Sequence, residues 1–174
     1  MAPFSDADAM KAAPRARCIG CGGLVPEMNG PTHRYLESSP GCWNLYGRVL
    51  AREYSDPAFG ALHRLTVDSY AVQHPGRPAA QTIQSVCLHL ISLHLVLERG
   101  LAGAYATRVM AGASKQKERF FWLEPPSMLG AVTASNLAGV DTPLQHELGV
   151  RAWAESAWSA WAEHHETVRR WVAP

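Results

Sequence analysis

"AAQTIQSVCLHLISLHLVLERG", residues 79–100, is the stretch on which the fold turns. It is apolar nearly all round, is too long for a strand, and ends at Gly100, a residue suited to stopping a helix. A helix of that kind belongs at the centre of a bundle. One stripe interrupts it: Gln81, Ser85, His89 and Ser92, spaced by four, four and three, share a single face. Polar groups on an enclosed helix each need a partner, whether a side chain, water, a ligand or a metal.

Working outward, the preceding segment "PAFGALHRLTVDSYAVQHPG" (57–76) places Leu62, Leu65 and Val72 on one side and is stopped by Pro75-Gly76. Before it, Ser39-Pro40 supplies an N-cap with proline in the first turn, and "GCWNLYGRVLAREYSD" (41–56) continues at helical spacing. On the other side, "AGAYATRVMAGASKQKER" (102–119) reads as a weaker, more exposed helix. "FFWLEPPSMLGAV" (120–132) is a linker, because its Pro-Pro pair forbids helix. "QHELGVRAWAESAWSAWAEHHETVRRWV" (145–172) reads as one long amphipathic helix with Leu148, Trp153, Ala157, Trp161, Val168 and Trp171 on its apolar face. His164 and His165 there complement the helix dipole. The expected fold is all-α: a bundle of about five helices carrying an N-terminal, loop-rich zinc-knuckle module. Residues 1–16 are expected to be a flexible arm. Residues 17–174 form a single domain, with a metal-binding loop module at 17–42 and the helical bundle at 43–174.

The module is "CIGCGGLVPEMNGPTHRYLESSPG" (18–41), rich in glycine and proline and without sustained period. Cys18 and Cys21 form a Cys-x-x-Cys pair followed by Gly22, whose permissive backbone lets N–H groups turn toward sulfur. His33 and Cys42 are the next candidates along the chain and complete a Cys3His set for zinc; Cys42 gains from a helix N-terminus, where the dipole favours thiolate. A dithiol redox pair and two unengaged thiols are the alternatives, although the strand that precedes a redox motif in a βαβ unit is missing. Cys87, within the apolar helix, reads as an inert core thiol.

The histidines suggest a second centre. His63 and His74 flank Asp68 on one helix, and His89 carries the stripe of the next. His63 and His74 lie ~16 Å apart along a continuous helix, so at most one of them meets His89. The candidate catalytic set is therefore His63, Asp68, His74 and His89, with a neutral imidazole as base or ligand and Asp68 as its orienting group.

Composition sets the outer limits. The chain has 174 residues, 47% hydrophobic and 18% charged, and 16 Lys+Arg against 15 Asp+Glu leave a formal charge of +1. Without a basic tract, no nucleic-acid partner is expected, and the tryptophans read as packing groups. The longest apolar run, about 86–97, is broken by His89, Ser92 and His94 and reads as too short for a membrane span; the N-terminus lacks the apolar core of a signal peptide. A cytoplasmic protein follows, in a compartment where thiols stay reduced.

Taken together, "CIGCGG", "GPTHRYLESSPGCW", "YGRVLAREYSDPA", "HRLTVDSYAVQHPG", "QSVCLHL" and "WLEPP" resemble an uncharacterised family of small bacterial proteins, a domain of unknown function. The resemblance runs from about Cys18 to the last helix and implies no activity. In architecture alone the chain is also similar to damage-inducible helical bundles that hold a metal with histidines from several helices, although the clustered Cys-x-x-Cys module departs from them. Two functions remain: a metalloenzyme acting on a small molecule in a histidine-lined cleft, or a zinc-stabilised binding or adaptor domain without catalysis.

Overall fold

The computed structural model describes residues 14–173. It opens with an antiparallel hairpin, β1 (Arg15–Arg17) and β2 (Leu24–Pro26), in which Ala16 faces Val25 and Arg17 faces Leu24. Seven α-helices follow among the described residues: α1 (Pro40–Ser55), α2 (His63–Val72), α3 (Ala80–Leu93), α4 (Gly103–Ala113), α5 (Ala134–Leu137), α6 (Pro143–Ala160) and α7 (His165–Trp171). Helix α2 packs against α3 and α6, α3 against α4, and α1 against α5 and β2.

The most enclosed helix is α2. From Leu65 to Val72 only Val67 escapes full burial. It is also polar, and apart from the Tyr70 hydroxyl, which has no hydrogen-bond partner among the described residues, its fully buried side-chain polar groups are paired. Thr66 donates to Glu53 of α1, and the Gln73 amide donates to the Leu129 and Val132 carbonyls, both at 2.8 Å, while accepting from Trp153 Nε1 at 2.7 Å. Trp161 Nε1 donates to the Val72 carbonyl at 3.2 Å. These bonds tie α2 to α1, α6 and the loop before α5.

Helix α3 continues into a π-helical turn, His94–Glu98, before Gly100 ends it with φ of +62°. The continuous rod Ala80–Glu98 spans 19 residues, longer than the run read from sequence, and by length and composition alone it suffices to cross a bilayer. Half of its most apolar window is buried inside the protein, as befits a core helix. The polar stripe descends from solvent into the core, with Gln81 exposed, Ser85 and His89 half-buried, and Ser92 enclosed.

The expected five-helix bundle with a separate zinc-knuckle module is corrected on three points. The cysteine segment begins as a β-hairpin seated on the bundle, with Val25 only 1% exposed. The single last helix is two, because the chain turns at Trp161 (ψ 18°) through a 3-10 turn, Ala162–His164. His165 Nε2 donates to the Trp158 carbonyl at 2.9 Å across that break, and its ring stacks on Trp158 at 3.7 Å. Finally, α5 has four residues, too short to show a period. Of the arm expected at 1–16, residues 1–13 lie outside the described residues, and Arg15 and Ala16 belong to β1. Ser39 occupies the N-cap of α1 but makes no cap bond; its hydroxyl accepts instead from the Ile19 N–H at 3.0 Å.

Two predictions follow from this packing. Leu148 is 60% exposed, whereas Trp153 is fully buried. Leu148→Ala should change unfolding free energy by less than about 0.5 kcal/mol and Trp153→Ala should cost about 3–5 kcal/mol, as read by urea denaturation. Glu98, at the end of the π turn, accepts two hydrogen bonds from Arg169 of α7 (2.9 and 2.6 Å) and one from His94 at 2.8 Å. The Arg169 bonds, reinforced by His94, hold its carboxyl down at about 2 against an ordinary 4.5. Because the folded-state value is depressed, this clasp stabilises the fold above about pH 4.5 and is lost as pH falls toward 2. The stability difference between wild type and Glu98→Gln should accordingly shrink across that window.

Candidate metal centre

Three elements deliver four ligand atoms to one point. The turn after β1 carries Cys18 and Cys21, the first turn of α1 carries Cys42, and the residue beyond the C-cap of α2 is His74. Their sulfur and nitrogen atoms all lie within 4.8 Å of one another, and all four residues are buried. The turn is shaped by the Gly22 N–H donating to the Cys18 carbonyl at 3.0 Å, with Gly22 at φ +71°, a conformation in which side chains with a Cβ are strained. Gly20 packs so closely on the His74 ring and the Glu37 carbonyl that a Cβ there would collide with both.

The spacing of these atoms discriminates between chemistries. A tetrahedral ion with Zn–S bonds of about 2.3 Å and a Zn–N bond of about 2.05 Å sets its sulfurs about 3.8 Å apart and sulfur to nitrogen about 3.6 Å apart. Cys21 and Cys42 Sγ are separated by 3.8 Å, and His74 Nε2 lies 3.6 Å from Cys18 Sγ and 3.5 Å from Cys42 Sγ. No disulfide joins the thiols.

The surrounding groups orient the ligands. His74 Nδ1–H donates to the Tyr70 carbonyl at 2.7 Å, which fixes the tautomer and turns the Nε2 lone pair toward the sulfurs. The Tyr70 ring lies 4.0 Å from the imidazole and stacks on Tyr46 at 3.8 Å. The Ser39 N–H donates to Cys18 Sγ at 3.4 Å, a contact that favours thiolate. Hydrogen bonds from Cys21 and Cys42 pull the Cys18 thiol far below its ordinary range. Bonds to Cys18 and Cys21, with burial, push Cys42 far above it. Burial depresses His74, but its hydrogen bonds to Cys18 and Cys21 outweigh that and raise it to about 9. Protons are thus shared awkwardly among four crowded groups, an arrangement that a divalent cation relieves by replacing them.

The remaining sequence candidates go elsewhere. His33 is outside the cluster: its Nδ1 accepts from the Leu36 N–H at 3.3 Å, and its ring packs on Tyr35 and Trp43. The fourth donor beside the three cysteines is His74, which sequence reasoning placed in a cleft. His63 donates through Nδ1 to Glu53 at 2.7 Å, and Glu53 also accepts from His146 Nε2 at 2.8 Å. His89 donates through Nδ1 to Asp68 at 2.7 Å, and the same fully buried carboxylate takes Arg64 at 2.6 Å and Ser92 at 2.5 Å. His63, His74 and His89 therefore do not share one centre. Glu53 and His146 were missed as a pair; they lie 93 residues apart, and only their burial on facing helices betrays them.

His74→Ala should abolish stoichiometric metal binding, whereas His33→Ala should leave it intact, with elemental analysis of the purified variants as the measurement. Metal lost from the His33 variant and kept by the His74 variant would overturn this assignment.

No curated protein and no solved structure matches this chain. A family model does match, over residues 16–162, a span that holds all four ligands, the core helices α1 to α4 and the whole of α6. The chain belongs to that family, DUF5946, a family of unknown function.

Proposed function

We propose that this is a cytoplasmic zinc-binding protein in which the ion, held by Cys18, Cys21, Cys42 and His74, staples the N-terminal hairpin to α1 and α2. The observation that carries the reading is that three of the six ligand-atom separations, 3.8, 3.6 and 3.5 Å, match a tetrahedral sulfur-rich sphere, with all four atoms within 4.8 Å of one another. Three soft thiolates and an imidazole select zinc over magnesium or calcium, which take oxygen ligands. With four protein ligands and none exposed, the centre has the closed form of a structural site and lacks the open position of a catalytic one. That favours the binding-domain reading over a zinc hydrolase. Catalysis in one histidine-lined cleft would require His63 or His74 to meet His89, whereas each of the three serves a different partner.

A small molecule is the partner this reading favours. A cavity of about 560 Å3 opens between the cysteine turn and the loop 127–136, lined among others by Arg17, Cys21, Leu129 and Thr133. The sequence has no basic tract and a formal charge of only +1, so nothing in its composition supports a nucleic-acid partner.

Protein purified without added metal should contain one zinc per chain. A chelator strong enough to strip it should raise amide hydrogen exchange in residues 15–26 and the first turn of α1 while α3 and α6 stay protected. Chain isolated with no metal, or exchange unaltered by stripping, would refute the proposal.

A further inference from the structure

We propose that Cys21 is a modification site: the sulfur at which a hydroperoxide attacks the centre, its oxidation ending in a Cys21–Cys42 disulfide that expels the metal. This rests on the zinc reading above and goes beyond it by assigning the centre a chemistry and a reactant.

The four ligands are not equally sheltered. Cys42 is 0% exposed, His74 1% and Cys18 3%, while Cys21 reaches 8% and lines the 560 Å3 cavity. Around Cys21 that cavity is walled by Gly20, Gly22 and Gly23, which have no side chains to cover the sulfur. The opposite wall is rigid: Gln73 holds the Leu129 and Val132 carbonyls, and the Ala131 and Val132 N–H groups donate to Ser156 Oγ at 2.9 and 3.2 Å. Gln73 and His74 are consecutive, so one end of α2 fixes both the metal and the cavity beside it.

The lining chemistry suits a small polar oxidant. Among the described residues it includes one guanidinium, Arg17, the hydroxyls of Ser127, Thr133 and Ser135, and no carboxylate. Such donors can hold the two oxygens of a peroxide and stabilise the hydroxide that leaves. A zinc-bound thiolate stays deprotonated at neutral pH, and the thiolate is the nucleophilic form.

The electrons balance in two steps. The Cys21 thiolate attacks one peroxide oxygen; an S–O bond forms, the O–O bond breaks, and hydroxide departs with the electron pair, leaving a sulfenic acid. Cys42, 3.8 Å away, then attacks that sulfur; an S–S bond forms and the sulfenic oxygen leaves as a second hydroxide. Two thiolates lose two electrons and the peroxide gains two. Zinc is left with Cys18 and His74 alone, too few ligands to retain it; the hairpin turn loses its link through the ion to His74, while the new disulfide keeps it joined to α1.

The test uses the full-length metal-loaded chain with hydrogen peroxide at pH 7, following zinc with a colorimetric chelator and disulfides by peptide mass mapping. The expected result is one zinc released per disulfide, a Cys21–Cys42 linkage, and Cys87 still a thiol. Burial holds Cys87 up at about 12, which makes it an internal control. Ala131→Trp, at an exposed position on the cavity wall, should leave metal content unchanged and slow release about fivefold by narrowing access. Retention of zinc under peroxide, a Cys18–Cys21 linkage, or release from a folded Ala131→Trp variant at the wild-type rate would overturn the proposal. Should that variant not fold, the linkage found in the wild type decides. A chain isolated without metal would refute the zinc reading and this inference together; a loaded chain that keeps its metal under peroxide refutes this inference alone.

Discussion

Three sulfurs and one imidazole nitrogen, all within 4.8 Å of one another, cannot all keep their protons comfortably, nor can they all lose them without a cation between them. The rest of the N-terminal half is arranged around that constraint. The hairpin has two three-residue strands, far below what holds a hairpin in water, and its buried apolar anchor is Val25. At the start of α1, Ser39 accepts from the Ile19 N–H through its hydroxyl oxygen and donates its own N–H to Cys18 Sγ rather than capping the helix. The Cys3His cluster joins this segment to α1 and to the end of α2, and Cys18, Cys21, Val25 and Cys42 extend the hydrophobic core into it.

The second organising feature is the polarity of α2. A helix with Thr66, Asp68, Gln73 and His74 at 0–1% exposure would be costly if any of them lacked a partner. Each bond instead points to a different element: Thr66 to α1, Asp68 to α3, Gln73 to α6 and the 127–136 loop, His74 to the cysteines. Apolar packing alone would let α2 slide or rotate among near-equivalent positions; four directional contacts in four directions leave one register. The same logic accounts for Glu53, a carboxylate 5% exposed that accepts from Thr66, His63 and His146.

Much of this was legible in the chain and some of it was not, for reasons that differ by residue. The Cys-x-x-Cys-Gly turn declares itself because its geometry is local. Cys42 is legible because it lies at the start of a strongly periodic helix. The role of His74 depends on how α2 docks against α1, which no spacing encodes; proximity along the chain pointed to His33, whose ring is spent on the Leu36 N–H and Trp43. The stripe on α3 did signal a buried partner, Asp68, whose own neighbours Arg64 and Ser92 then exclude the other histidines. Strands of three residues carry no readable alternation, a four-residue α5 carries no period, and the break at Trp161 follows from a tryptophan held by the Val72 carbonyl, a tertiary contact.

These two features meet at the last residues of α2. Gln73 and His74 share one backbone, so the position of the imidazole relative to the sulfurs and the position of the 127–136 loop relative to the cysteine turn are set together. One wall of the cavity is the cysteine turn and the other hangs from the neighbouring glutamine, so its shape depends on how both pack at the end of α2. The geometry of the Cys3His cluster and that of the cavity are therefore linked through two adjacent side chains. Of the four clustered residues, Cys21 is the one that lines the cavity, next to Gly20, Gly22 and Gly23, so cluster and cavity share a boundary.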